Sequence, residues 1–132
     1  MSAVLADAGP IVALAFTADQ YHALARTDLE RLAADRVRVR VTFSTLIESY
    51  ALILRRATPQ YAFRWYDSLR ARADFLNPTE TDYLAAVELV QRYEDQSISL
   101  ADGVIAIMSR RLELPVWTYD HHFDLMRVDR WR

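Results

Sequence analysis

The sequence predicts a three-layer α/β/α sandwich around a mostly parallel sheet. Short apolar runs alternate along the chain with longer segments whose apolar residues recur at helical spacing, the pattern of strand–helix–strand units. Only 2 Gly and 4 Pro occur in 132 residues, too few for a turn-rich all-β design. At 52% hydrophobic and 26% charged, the composition is that of a globular chain, and the length suits one domain over residues 1–132.

Ala3 to Ala6 reads as a strand buried on both faces, ending at Asp7. Ala8-Gly9-Pro10 turns the chain, with Pro10 suited to a first helical position before a short helix over Ile11 to Phe16. Asp19 to Ala34 carries Tyr21, Leu24, Ala25, Leu29 and Leu32 on one helical face. In Val37 to Phe43, Val alternates with Arg and Thr, the period of two of a strand with one wet face. Ser44 or Thr45 then caps a helix to Arg56 with Glu48 in its first turn, and Thr58-Pro59 opens another to Ala73. A short strand over Asp74 to Asn77 precedes a helix from Pro78-Thr79 to Tyr93. Ser99 starts the next helix, which Leu114-Pro115 ends; Val116 to Thr118 is a strand, and Met126 to Val128 is expected as a last one.

Composition excludes several chemistries. There is no Cys, which removes disulfides, thiolate zinc sites and Cys nucleophiles. All 16 basic residues are Arg, which removes Schiff-base and P-loop Lys mechanisms. The net charge of −2 names no partner and mildly opposes a nucleic-acid binder, which is usually basic. No basic n-region opens MSAVLADAGP and no apolar run reaches membrane-spanning length, so a soluble, cytoplasmic protein without a membrane partner is expected.

Four acids fall where an α/β sheet presents ligands, beyond the carboxyl ends of its strands: Asp7, Glu48, Asp102 and Asp120. Each has a plain structural account. Thr45-x-x-Glu48 and Ser99-x-x-Asp102 fit capping boxes, and taken singly capping explains these two better; Thr79-x-x-Asp82 is read as capping alone. Asp120 fits a turn, whereas Asp7, several residues ahead of the expected helix, has no cap to make. Together they say more. Clustered carboxylates raise one another's pKa unless a cation neutralises them, and all-oxygen ligation suits Mg²⁺ or Mn²⁺. Such an ion activates water and stabilises charge on a phosphodiester.

Asp7 in VLADAGPIVAL, Glu48 in FSTLIESYALIL, Asp102 in SLADGVIAI and Asp120 in LPVWTYDHHF resemble the four acidic motifs of the PIN-domain ribonucleases, and most closely the VapC-type toxins. The likeness runs over nearly the whole chain and rests on the combination of D-x-G-P, SLAD-helix-LP and T-x-D-x-x-F. It implies a five-stranded parallel sheet, a metal-dependent endoribonuclease, a homodimer and an inhibitory antitoxin partner. It also implies Asp7 and Asp102 as central Mg²⁺ or Mn²⁺ ligands, with Glu48 and Asp120 acting through water or at a second site. Thr118 matches the family's hydroxyl beside the last acid, and Asp95 a place where relatives carry an acid, as a supporting group or a solvated loop residue. Gly103 stands where relatives more often have Ala or Cys. A PIN-fold processing nuclease without antitoxin, and a non-catalytic α/β binding module, are the alternatives.

The remaining features read more plainly. His121 and His122 beside Asp120, and His22 on a surface helix, are read as ordinary surface residues. Tyr61, Phe63, Trp65 and Tyr66 point too many ways for one buried face, so part of that helix is expected to be exposed, as a dimer or antitoxin interface in preference to a base-stacking platform. The Arg groups are solvated faces by default, with Arg55 and Arg56 candidates for RNA phosphates.

Overall fold

A computed structural model describes residues 2–132. The chain runs β1 (Ala3–Ala6), α1 (Ala8–Ala13), α2 (His22–Ala34), β2 (Arg38–Thr42), α3 (Phe43–Arg56), α4 (Pro59–Arg72), β3 (Ala73–Leu76), α5 (Glu80–Gln91), α6 (Leu100–Leu112), β4 (Val116–Trp117) and α7 (His122–Leu125). The four strands lie in the order β3-β2-β1-β4, all parallel.

Strand alternation builds the three layers. Val4 and Ala6 of β1 face a core completed by Ile11, Ala25, Leu32, Ile53 and Trp65, from α1, α2, α3 and α4. Leu5, between them, faces the opposite core of Ala86, Leu89, Val104, Ile105 and Phe123, from α5, α6 and α7. Because both faces are covered, β1 is buried throughout, as its uninterrupted apolar run predicts. In β2, Val39 and Val41 face the first core while Arg38 stays wet and grips Asp74 of β3 with two hydrogen bonds, of 2.6 and 3.1 Å.

Four expectations change. Met126 to Val128 is not a strand. Phe123, Met126 and Val128 enter the core from α7 and the turn after it, where Val128 N–H donates to Phe123 O at 3.0 Å. The sheet is therefore four-stranded rather than five-stranded among the described residues, with one bridge, Val116 to Arg130, at the expected fifth position. The first helix begins at Ala8, directly after Asp7, so Pro10 occupies its third position. That costs nothing, because N–H groups of a first turn have no intrahelical acceptor. The second helix begins at His22, since Asp19 Oδ1 accepts from Tyr21 N–H at 2.9 Å and holds the preceding residues in a turn. The capping box of Thr79 and Asp82 forms as expected. No helix of the described residues is long and apolar enough to cross a membrane.

Candidate metal centre

The strand order reverses beside β1: β2 and β3 extend to one side, β4 to the other. Ligands of open α/β sheets bind at such a point, outside the strands' carboxyl ends. Asp7 follows β1 there, and Thr118 to Asp120 follow β4. A pocket of about 490 Å³ lies at this position, lined by Asp7, Glu48, Asp102 and Asp120 with Tyr21 and Tyr119 among others.

Asp7, Glu48 and Asp102 each offer a carboxylate oxygen, and these atoms lie within 4.8 Å of one another. Each arrives by a different local device. Asp7 caps α1, accepting from Ala8 N–H at 2.8 Å, so the expectation that no cap engages it is corrected. Its other oxygen takes the Thr118 hydroxyl at 2.8 Å, and Thr118 Oγ1 in turn accepts from Asp120 N–H at 3.0 Å. Thr118 thereby ties the end of β4 to the end of β1. Asp102 is brought in by Ser99, which caps α6 by accepting from Asp102 N–H at 3.1 Å. Glu48 does not cap. Thr42 caps α3 through Thr45 N–H at 3.1 Å, which starts the helix earlier than expected and moves Glu48 beyond its first turn. Freed from the helix end, Glu48 meets Ser99 and the charge of Asp7.

Burial, and after it the charge of neighbouring acids, raises all three carboxyls. Asp7 is pushed up chiefly by burial, against hydrogen bonds from Thr118 and Ala8. Glu48 rises through burial and then the charge of Asp7. Asp102 is pushed up to about 9, by burial first and then by the charges of Asp7, Glu48 and Asp120. Asp7 and Asp102 titrate together, and without a cation the carboxyl of Asp102 keeps its proton beside Asp7. A hard cation would relieve that repulsion, and a donor set of carboxylate oxygens fits Mg²⁺ or Mn²⁺.

Asp120 lines the same pocket but stands apart from the trio. Its Oδ1 accepts from His122 N–H at 2.9 Å and lies 3.1 Å from His122 Nδ1, and it forms a second group with His121 and His122. These histidines, read from sequence as plain loop residues, line the pocket. Asp95 is not brought in: it is exposed, accepts from Gln96 Nε2 at 3.2 Å and does not line the pocket. Sequence reasoning did not single out Tyr21, Tyr119 or Ser99 as pocket residues. The only local sign of them was an aromatic residue beside Asp120 and a cap residue before Asp102.

A second cavity, of about 590 Å³, opens between α1, α2 and α4. Ile11, Trp65 and Trp117 form an apolar floor, and Arg26, Arg64 and Arg72 stand exposed at its edge. Of the aromatic residues on α4, Trp65 is buried with Nε1 donating to Ile11 O at 3.3 Å, while Phe63 is 53% exposed.

An all-parallel sheet with acids clustered at its switch point defines an α/β protein whose ligand site lies at the strand ends. The PIN domain family model matches residues 4–129, and the chain belongs to that family, a family of nucleases. No curated protein matches the sequence. Among solved structures, the chain is similar to VapC20 of Mycobacterium tuberculosis, described as a Sarcin-Ricin loop cleaving toxin, at 20% identity and TM-score 0.82 over 98% of each chain. It is also similar to a chain of VapBC2 from Rickettsia felis, solved on a promoter DNA fragment (14% identity, TM-score 0.75, 98% of this chain and 97% of that one). A third is VapBC-1 from nontypeable Haemophilus influenzae (18%, TM-score 0.70, 98% and 96%). At these identities the likeness establishes the fold.

Proposed function

We propose that this protein is a metal-dependent endoribonuclease, acting as one domain over residues 1–132 in the cytoplasm, and the toxin of a toxin–antitoxin pair. The observation that carries the reading is the meeting of buried Asp7 and Asp102 with half-buried Glu48, within 4.8 Å, at the switch point of a PIN fold. Asp7 and Asp102 hold Mg²⁺ or Mn²⁺, with Glu48 and Asp120 completing the set directly or through water. When bound, the ion lowers the pKa of a coordinated water and stabilises charge on the phosphodiester. Thr118 fixes one Asp7 oxygen and so orients the carboxylate. No Cys or Lys is present, and the trio of acids requires no protein nucleophile.

Similarity to chains of toxin–antitoxin complexes supports an antitoxin partner. The groove edged by Arg26, Arg64 and Arg72 offers that partner a place, and its apolar floor with a cationic rim calls for an amphipathic segment bearing Asp or Glu. A homodimer belongs to the same reading.

Purified protein is expected to cut single-stranded RNA with Mg²⁺ or Mn²⁺ and not with EDTA. Asp7→Asn and Asp102→Asn should each lose on the order of a hundredfold or more, since even groups that only support a metal ligand are worth up to about that much. Full cleavage by either variant in Mg²⁺ would sink the metal-site reading. Growth arrest on induction, relieved by Asp7→Asn and by the adjacent reading frame, tests the toxin role.

A further inference from the structure

We propose that Tyr21 and Tyr119 form a stacking platform that holds one unpaired nucleobase of the RNA beside the acid trio. This rests on the nuclease reading above and adds the group that grips the substrate. Both tyrosines line the pocket that holds Asp7 and Asp102. Their rings are stacked, with centroids 4.8 Å apart and planes 28° from parallel. Tyr119 sits between Thr118, which is bonded to Asp7, and Asp120. A base resting on this pair lies next to the carboxylates.

The platform is held in place. The Tyr119 hydroxyl donates to Asp28 at 2.7 Å, and the same Asp28 oxygen accepts from Trp117 Nε1 at 3.3 Å. Asp28 is itself 6% exposed on α2 and pairs with Arg31 at 3.5 Å. Tyr21 is fixed at its backbone by Asp19 and remains 38% exposed, leaving ring surface for a third ring.

The pocket's own charge calls for such a group. Its lining contains four carboxylates and no Arg. Apart from the ion proposed above and the rings of His121 and His122, it offers no cationic group to the RNA backbone, whereas base–aromatic stacking needs no charge and tolerates any base. Paired bases are stacked within their helix and present no free face, so the platform favours loops and single strands.

Fluorescence anisotropy of a short labelled single-stranded RNA, with Ca²⁺ replacing Mg²⁺, tests the proposal on wild type, Tyr21→Phe and Tyr21→Leu. Stacking is worth roughly five- to a hundredfold per base, so Tyr21→Leu should weaken single-strand binding about tenfold and duplex binding not at all, with Tyr21→Phe close to wild type. A single abasic ribose walked along the RNA should weaken wild-type binding at one position, to which Tyr21→Leu is indifferent. Melting curves identify a variant that has lost its fold, and the abasic series on wild type decides the matter without any variant. Equal binding by Tyr21→Leu and wild type, or a Tyr21→Phe as weak as Tyr21→Leu, overturns the platform. In Mg²⁺ the loss in Tyr21→Leu should fall on KM more than on kcat. If the binding pattern holds and wild type cuts no RNA, the nuclease reading fails and the platform stands.

Discussion

Asp102 serves two ends at once. Its backbone N–H is the one that Ser99 caps, and its carboxyl, 9% exposed, faces Asp7, Glu48 and Asp120. The second role is costly without a cation, and the cost has a definite pH dependence. An unfolded Asp loses its proton near pH 4, whereas folded Asp102 keeps it to about 9. Between those values the native state holds more protons than the unfolded state, so stability falls as pH rises. Asp7 and Glu48, also raised, act in the same direction. Metal-free protein is therefore expected to melt progressively lower from pH 5 to pH 8, by up to about 1.4 kcal/mol per pH unit for each proton. Mg²⁺ should restore stability most at the alkaline end, by about 2.7 kcal/mol at a hundredfold excess over its Kd. Asp102→Asn should flatten the pH profile; calorimetry across that range with EDTA and with Mg²⁺ checks both, and a profile that rises with pH in EDTA would contradict the assignment. Asp7 and Asp102 were legible in the sequence because each follows a strand end or opens a helix. Glu48 was legible as an acid but not for its geometry. Its apparent capping box dissolved once Thr42, rather than Thr45, proved to start the helix. Tyr21 was illegible, because its partner Tyr119 is distant in sequence and only the fold joins them.

Elements meet through positions that sequence patterns do not advertise. Gly103, in the first turn of α6, carries a helix-propensity cost of up to about 1 kcal/mol that nothing local repays. The reason lies across the interface with α5. A β-carbon at Gly103 would come 2.7 Å from Val90 Cγ1 and 3.3 Å from the Ala86 carbonyl oxygen. Valine is stiff at χ1 and the carbonyl belongs to a helix backbone, so neither yields cheaply. Gly103→Ala is expected to destabilise by about 1 kcal/mol net, overpacking outweighing the propensity gain. Its cost should shrink in a Val90→Ala background, where the nearer atom is gone, so that urea unfolding of the two single variants and the double variant shows coupling rather than additivity. Additive costs would mean that the contact does not govern the site. The neighbouring Asp82 shows the opposite case, a residue whose capping role was legible but incomplete. It closes the box with Thr79 and also receives Arg111 of α6 through bonds of 2.9 and 2.7 Å. Met126 to Val128 misled because an apolar residue at every second position marks a strand edge and a turn after a short helix equally well; only Phe123, pulling the segment into the core, distinguishes them.

For the whole molecule, alternation of short apolar runs with amphipathic helices was enough to give the layers and the parallel sheet, because a buried strand and a helix with one apolar face leave few other ways to pack. Which helix faces stay unpartnered was not legible, since a stripe that meets a core and one that meets another molecule read alike. The structure separates them. On α3, Phe43, Ile47 and Leu54 fall within one helical face and remain exposed, Ile47 at 70%. On α5, Leu84 and Val87 do the same, Leu84 at 62%. Monomeric soluble proteins seldom leave such stripes open. A second copy of the chain covers them on the reading proposed above, burying apolar area worth about 25 cal/mol per Å². Light scattering behind a sizing column should then give twice the chain mass for wild type, and the single-chain mass for Ile47→Asp or Leu84→Asp. Because both side chains point to solvent in one chain, neither substitution should disturb the core, and the far-UV spectrum is expected to match wild type. A wild-type mass of one chain across micromolar concentrations would rule out the dimer while leaving the proposed metal site untouched, since Asp7, Glu48, Asp102 and Asp120 line one pocket of a single chain.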